Sequence, residues 1–112
     1  MNEYEVRLLE DVVCFLHGLP AKLRAKAFRG VQLLRALGPE LPMPHAKALK
    51  GTDGLRELRV KLASDIVRLF YFHHKGEVYI VTSGFVKKGD KTDPRELQRA
   101  IRLMRMFKED AP

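Results

Sequence analysis

The sequence predicts a small α+β domain, on two observations. Apolar residues recur at helical spacing up to residue 37, alternate or cluster as in strands from residue 57 to residue 86, and return to helical spacing after residue 93. The 112 residues suit one domain, and a hydrophobic content of 46% can supply its core. We therefore expect a single domain over residues 1–112, in which helices pack on a small sheet.

The first part of the chain predicts a short strand and two helices. Residues 4–9 are expected to form the strand, and residues 10–17 carry apolar side chains at the spacing of a short helix. Residues 20–37 predict a longer helix with one apolar stripe. Gly38 and a following proline end this helix, and the prolines within residues 38–45 favour an extended connector.

The rest of the chain predicts a three-stranded meander and a last helix. Residues 57–62 alternate charged and apolar side chains, which is typical of a strand with one buried face. Residues 66–72 form an almost wholly apolar strand that Arg68 interrupts, and a tight turn leads to a third strand at residues 78–86. Asp93 precedes a proline and is expected to cap the last helix.

Charge is concentrated in the middle of the chain. The net charge is +7, and residues 47–91 carry five of these excess positive charges. This concentration favours a site for an anionic partner, with a solvated basic surface as the alternative. The apolar runs are too short for a membrane span, the acidic N-terminus does not resemble a signal peptide, and Cys14 is the only cysteine. We expect a cytoplasmic protein without membrane partners and without a disulfide framework.

The clearest cluster of functional side chains is Arg59, Lys61 and Arg68. Positions 59 and 61 lie on the same side of the alternating strand, and the turn that follows brings Arg68 beside them. Three cations on one face repel one another unless an anion lies between them, and a phosphodiester suits Arg well. Surface ion pairs with nearby carboxylates explain the same pattern equally well. These carboxylates are Glu57, Asp65 and Glu77.

A second basic group follows the last strand, where Lys87, Lys88 and Lys91 come close together in sequence. These lysines could bind a nucleic-acid backbone while Phe85 or Tyr71 stacks on a base. The alternative is that Phe85 belongs to the core. The histidines have no metal-ligand spacing and no phosphate-binding loop is present, so we expect neither a metal nor a cofactor.

Three ordered segments resemble a known family. Residues 47–60, residues 66–72 and residues 84–88, followed by a Thr-x-Pro helix start, are similar to the RelE/ParE superfamily and most like its phage-derived HigB-like branch of type II toxin–antitoxin toxins. The resemblance covers roughly residues 4–108. It implies a mainly antiparallel sheet with helices packed on one face and a basic concave site on the other. It also implies a ribosome-dependent mRNA endonuclease that a HigA-like, DNA-binding antitoxin neutralises.

The resemblance also implies roles for individual residues. The catalytic set is Arg59, Lys61, Arg68 and Lys87. In the implied reaction, which needs no metal, the substrate's 2′-hydroxyl attacks the adjacent phosphate, Lys61 acts as the base, and Arg59 and Arg68 stabilise the charge that develops. The chain has no tyrosine near the start of the last helix to act as a proton donor. Further RNA contacts are expected from Lys50, Arg56, Tyr71, Phe85, Lys88 and Lys91.

Two other functions remain open at this stage. A ParE-like toxin that inhibits DNA gyrase without catalysis would use the same scaffold, because fold does not decide function. A nucleic-acid-binding module without toxicity would explain the charge but not the three ordered segments. For the antitoxin, the sequence offers two basic surfaces. These are the stripe of Lys22, Lys26 and Arg29 on the second helix and the arginine-rich side of the last helix.

Overall fold

The computed structural model describes residues 3–87 and 92–110, and within them a mixed sheet packs with three α-helices. The first half contains β1 (Glu5–Leu8), α1 (Glu10–His17), α2 (Ala21–Leu37) and β2 (Ala46–Ala48). The second half contains β3 (Arg56–Leu62), β4 (Asp65–His73), β5 (Val78–Lys87) and α3 (Pro94–Asp110). A short 3₁₀ turn follows α2 at Gly38–Glu40.

The sheet has the strand order β1-β5-β4-β3-β2. β1 pairs with β5 in parallel, while the β2, β3, β4 and β5 neighbours are antiparallel. The meander of β3, β4 and β5 agrees with its predicted boundaries to within one or two residues. The predicted α+β class with a mainly antiparallel sheet is therefore confirmed.

Two helices cover one face of the sheet. Val12 and Leu16 of α1 and Leu23 and Leu34 of α2 are buried against the inward-facing side chains of β3, β4 and β5. α2 lies so close to β3 that a Cβ on Gly30 would come within 2.5 Å of a Val60 methyl group. The α2 glycine therefore sets the spacing between this helix and the strand that carries the candidate site.

The third helix packs on the opposite face, which differs from the expectation of helices on one face only. Phe70, Phe72 and Ile80 form a second apolar cluster with Ile101 and Met104 of α3. The physical reason lies in β4, whose apolar side chains point alternately to both faces and must be covered on both. α3 covers only part of this face, so the face is apolar under α3 and charged beyond it.

One strand was not predicted. β2 has three residues, which is too short for an alternating pattern, and it lies at the sheet edge after the expected connector. Asp93 caps α3 as predicted, because its Oδ1 accepts a hydrogen bond from the backbone N–H of Arg95 at 2.9 Å. Within the described ranges, no helix has the length and apolar character needed to cross a membrane.

Candidate functional site

The register of the meander brings the predicted cationic residues together. Arg59 of β3 lies directly opposite Arg68 of β4, and Lys61 lies opposite Ile66, which in turn lies opposite Lys87 of β5. Residues that are directly opposite in a sheet point to the same face. The predicted convergence of Arg59, Lys61 and Arg68 on one face therefore agrees with the register.

A buried carboxylate organises the two arginines. Glu57 of β3 is 0% exposed, and its Oε1 accepts hydrogen bonds from Arg59 Nε at 2.8 Å and from Arg68 Nη1 at 2.6 Å. Its Oε2 accepts a hydrogen bond from the Thr92 hydroxyl at 2.7 Å. Both carboxylate oxygens are thus used, and the start of α3 is linked to β3 through one side chain. The ion-pair alternative is correct in its partner, Glu57, for both arginines, but the Arg68–Glu57 pair is buried and is not the surface ion pair that was expected.

The carboxyl group of Glu57 remains ionised despite its burial. Burial by itself would raise the pKa of Glu57, but the hydrogen bonds from Arg59 and Thr92 and the positive charges of Arg68 and Arg59 outweigh it. The net effect is a pKa below the ordinary value of 4.5. Glu57 is therefore a permanent negative charge near neutral pH, and it holds Arg59 and Arg68 by charge as well as by hydrogen bonding.

Arg68 does not present its charged end to an open surface, which corrects the expectation for this residue. Its side chain is 0% exposed. The reason is that β4 lies in the middle of the sheet, where a long cationic side chain is stable only if a buried anion pairs with it. Among the described residues, Arg68 is therefore linked to the exposed part of the face through Glu57, which it shares with Arg59.

Among the described residues, the open part of the charged face consists of Arg59, Lys61 and Lys87. The side chain of Arg59 is 20% exposed, Lys61 is exposed, and Lys87 is half-buried. Lys61 and Lys87 belong to the same row of the sheet two strands apart, a separation of about 10 Å between their Cα atoms. These three cations can approach one polyanion from the same side.

Tyr71 and Arg56 lie away from this face. Tyr71 is 1% exposed and belongs to the core under α1 and α2, with its ring 5.9 Å from that of Tyr79. Its hydroxyl accepts a hydrogen bond from Arg56 Nε at 3.2 Å. Arg56 and Tyr71 are opposite each other in the register, so both point to the face opposite Arg59. The expected stacking of Tyr71 on a base is wrong, and Arg56 does not belong to the Arg59 site.

Phe85 is also a core residue. It is 8% exposed and stacks on Phe70 with 5.8 Å between the ring centroids, so the expected base stacking by Phe85 is wrong as well. Lys50 is exposed in the turn before β3. Lys88 and Lys91 lie outside the described residues. Of the eight predicted site residues that the structure describes, three form the open face.

Sequence reasoning missed the contacts by which Glu57 and Thr92 hold the two arginines. Glu57 was recognised only as one of several possible ion-pair partners, because its position in an alternating strand does not reveal that it is buried. Thr92 lies 35 positions from Glu57, and no local pattern indicates such a contact. A charged residue inside the apolar β4 segment was the available signal, because a buried arginine requires a buried carboxylate.

The comparisons with known proteins agree on the fold. Residues 14–105 match the family described as Phage derived protein Gp49-like (DUF891). The structure is similar to a mutant of the E. coli toxin RelE in the free state, with a TM-score of 0.63 and 19% identity over 89% of this chain and 96% of that chain. It is also similar to the archaeal RelE–RelB complex from Pyrococcus horikoshii OT3, with a TM-score of 0.54 and 21% identity over 80% of this chain and 99% of that chain. A search of curated protein sequences gave no match.

The family match extends from α1 into α3 and includes the entire charged face described above. The predicted resemblance to the RelE/ParE superfamily is thereby confirmed. The chain belongs to the phage-derived Gp49-like family and has the fold of the RelE toxins.

Proposed function

We propose that this chain is the toxin of a type II toxin–antitoxin system and that it cleaves mRNA at the ribosome, in the cytoplasm. The observation that carries the proposal is the arrangement of Arg59 and Lys61, two cations on an open strand face, one of which is held by a buried carboxylate. An arginine fixed in this way is preorganised for a phosphate, because its guanidinium group loses little further freedom on binding. The family and the fold support the toxin assignment.

In the proposed reaction, the 2′-hydroxyl oxygen of the RNA attacks the adjacent phosphorus and the bond to the 5′-oxygen of the next nucleotide breaks. Arg59 contacts the phosphoryl oxygens and stabilises the negative charge that builds up on them. Lys61, two positions along the same strand face, acts as the base that takes the proton from the 2′-hydroxyl, and the departing 5′-oxygen takes a proton from water. Lys87, which lies two β-strands away from Lys61 on the same face, contacts a neighbouring phosphate of the RNA.

Arg68, Glu57 and Thr92 are positioning residues in this proposal. Glu57 orients Arg59 through the hydrogen bond to Nε, which leaves the two terminal nitrogens of the guanidinium free of this contact and able to face a phosphate. Arg68 and Thr92 hold Glu57 in place from the other sides. The geometry of Arg59 therefore depends on three elements: β3, β4 and the start of α3.

The test compares two substitutions at Lys61 in an mRNA cleavage assay with purified ribosomes. If Lys61 transfers a proton, both Lys61→Ala and Lys61→Arg lower kcat by about 10²-fold or more, because arginine does not give up its proton near neutral pH. If Lys61 acts only as a charge, Lys61→Arg retains most of the activity. Arg102→Ala on the exposed surface of α3 is the control for the loss of one positive charge. Equal cleavage by wild type and Lys61→Ala contradicts the proposed site.

A cell-based measurement separates the proposal from the ParE-like alternative. Protein synthesis and DNA synthesis are measured separately after induction of the chain. An mRNA endonuclease stops the incorporation of amino acids first, whereas a gyrase inhibitor stops DNA synthesis and causes DNA damage. The second result, with no change in protein synthesis, would falsify the endonuclease assignment and leave the fold assignment unchanged.

We also propose that a HigA-like antitoxin binds this chain. The proposal is supported by the similar archaeal RelE, which is in complex with RelB. The exposed side of α3 suits such a partner, because Arg102 and Arg105 lie beside Met106, which is 52% exposed. A partner that buries the methionine and places carboxylates near the arginines would associate faster at low salt and dissociate at nearly the same rate. Association rates that do not change across a salt series would leave apolar burial as the only contact.

A further inference from the structure

An open cavity lies at the edge of the sheet, at the point where the pairing of the edge strand β2 with β3 ends. The backbone N–H of Arg59 donates to the carbonyl of His45 at 2.8 Å, and the pairing of β2 with β3 extends only as far as Leu58. Beyond this point, within the described residues, no strand covers the outer edge of β3. A cavity of about 450 Å³ occupies this place between β3 and α2. Its volume is in the range of about 300–1,000 Å³ that is typical of ligand sites.

The polar lining of this cavity is entirely basic. Its ionisable residues are Lys26, Arg29, His45, Arg59 and Lys61, with no carboxylate among the lining residues. Arg59 shares the carboxylate of Glu57 with Arg68, whereas Lys26, Arg29 and Lys61 form no salt bridge within the described ranges. Cations that converge without counter-charges repel one another, and an anion relieves that repulsion. The cavity therefore favours a ligand with negative charge.

The remaining wall of the cavity is apolar. Leu33 of α2 is 40% exposed, and Val60 and Ile66 contribute apolar surface from the strands. The close approach at Gly30 keeps α2 near β3, so that the apolar wall and the basic side chains surround one space. A ligand that suits both parts has a flat apolar body and an attached anionic group. A nucleotide has this character: its base can lie on aliphatic side chains while its phosphate contacts cations.

The cavity adjoins the proposed cleavage site at the open outer edge of β3, because Arg59 and Lys61, which belong to the sheet face opposite α2, also line it. We propose that it is a subsite for an RNA nucleotide next to the scissile phosphate, in which Lys26 and Arg29 bind the backbone phosphate and Leu33 and Ile66 contact the base. This inference rests on RNA as the ligand of the proposed function, but it does not require that the RNA is cleaved. It assigns the basic stripe of α2 to the substrate and not to the antitoxin.

Binding and cleavage are measured separately to test this subsite. Fluorescence anisotropy of a labelled 2′-O-methyl RNA oligonucleotide reports binding without cleavage, because the attacking hydroxyl is blocked. The variant carries Lys26→Ala and Arg29→Ala, and the control carries Arg102→Ala and Arg105→Ala, which removes the same charge from the far side of α3. For the cavity variant we expect about a tenfold weaker affinity. We also expect the slope of log K against log salt to fall by about 1.4, since each phosphate contact on a single strand contributes about 0.7.

A third variant tests the position of the base. Leu33→Glu places a carboxylate in the cavity without removing a cation. The carboxylate repels the RNA phosphates, so the loss of RNA affinity is expected to be larger at low salt than at high salt. In the cleavage assay, the Lys26→Ala and Arg29→Ala variant is expected to raise KM and leave kcat unchanged, because the subsite binds but does not touch the reacting atoms. Thermal unfolding of each variant shows whether it remains folded.

The outcomes separate the two proposals. If wild type cleaves RNA and the cavity variant binds RNA with the wild-type affinity and salt slope, the subsite is wrong and the cleavage site stands. If the cavity variant loses RNA binding while wild type fails to cleave at the ribosome, the subsite stands and the endonuclease assignment fails. If the cavity substitutions weaken only the binding of the antitoxin, the cavity is a protein-docking surface and the inference is overturned.

Discussion

The two ends of the charged sheet face differ in how their cations are balanced. At the inner end, Arg68 and Glu57 are completely buried and Arg59 completes a pair of arginines around one carboxylate. At the outer end, Lys61 is exposed and adjoins the basic cavity beside α2. The inner end fixes the geometry of Arg59, and the outer end supplies exposed positive charge that attracts an anion. Substitutions at the inner end should therefore affect stability and activity together, whereas substitutions at the outer end should affect activity alone.

The largest effect is expected from Glu57→Gln. This substitution retains the size of the side chain but removes the negative charge that two arginines share. Breaking a buried ion pair in this way costs about 3–5 kcal/mol of unfolding free energy at pH 7. Urea unfolding measures the loss, and cleavage by the folded fraction is expected to fall as Arg59 loses its orientation. A variant with wild-type stability would show that the carboxylate is not essential to the inner end.

The lowered pKa of Glu57 predicts that the stability difference between wild type and Glu57→Gln depends on pH. The pKa of Glu57 is lower in the folded state than its ordinary value of 4.5, so its contribution to stability is complete above about pH 4.5 and is lost as the pH falls through the lowered folded-state value. The difference in unfolding free energy between wild type and Glu57→Gln is therefore expected to shrink as the pH is lowered below 4.5. A constant difference from pH 7 to pH 3 would contradict the ionised state of Glu57.

Arg68→Met should have the next largest effect, about 3 kcal/mol of unfolding free energy. Methionine fills a similar volume, but Glu57 loses the short hydrogen bond from Arg68 and, among the described residues, retains Arg59 and Thr92 as partners. The comparison with Glu57→Gln is informative, because if Arg68 contacted RNA directly, its substitution would lower cleavage activity more than its effect on stability explains. A folded Arg68→Met protein whose cleavage falls no further than that of folded Glu57→Gln would support the positioning role, because both substitutions act through the orientation of Arg59.

Thr92→Val tests the link between the inner end and α3. The substitution keeps the shape of the side chain and removes one hydrogen bond to a carboxylate, which contributes about 1.5–3 kcal/mol in general. Because Thr92 is only partly buried, we expect about 1.5 kcal/mol, measured by urea unfolding. Hydrogen exchange of the first turn of α3 should increase in the variant. Unchanged exchange would indicate that Asp93 alone holds the start of this helix.

Lys61→Ala should have the smallest effect on stability, within about 0.5 kcal/mol, because the residue is exposed and makes no ion pair within the described ranges. RNA binding is nevertheless expected to weaken, and its salt slope is expected to fall by about 0.7. This combination of normal stability and weak binding would separate the outer end from the inner end. A large loss of stability would contradict the distinction between them.

The order of the elements was predictable because the apolar spacing changes sharply between helices and strands. Strand alternation also predicted that Arg59 and Lys61 share a face. It did not predict the burial of Arg68, because the sequence does not indicate which carboxylate lies beside an arginine in a sheet. The position of α3 was harder still: an apolar strand such as residues 66–72 requires cover on both faces but does not identify the covering helix.

The link between Glu57 and Thr92 has a consequence for the order in which the chain folds. β3, β4 and β5 are joined by short turns and can pair soon after they are synthesised, whereas β1 must wait for β5, a partner about 70 residues later in the chain. Arg59 acquires its full support only when Thr92 has left the ribosome and reached Glu57. A nascent chain that has emerged only as far as β5 therefore has the strands of its sheet but an incomplete site, and the emergence of Thr92 and the start of α3 completes the site.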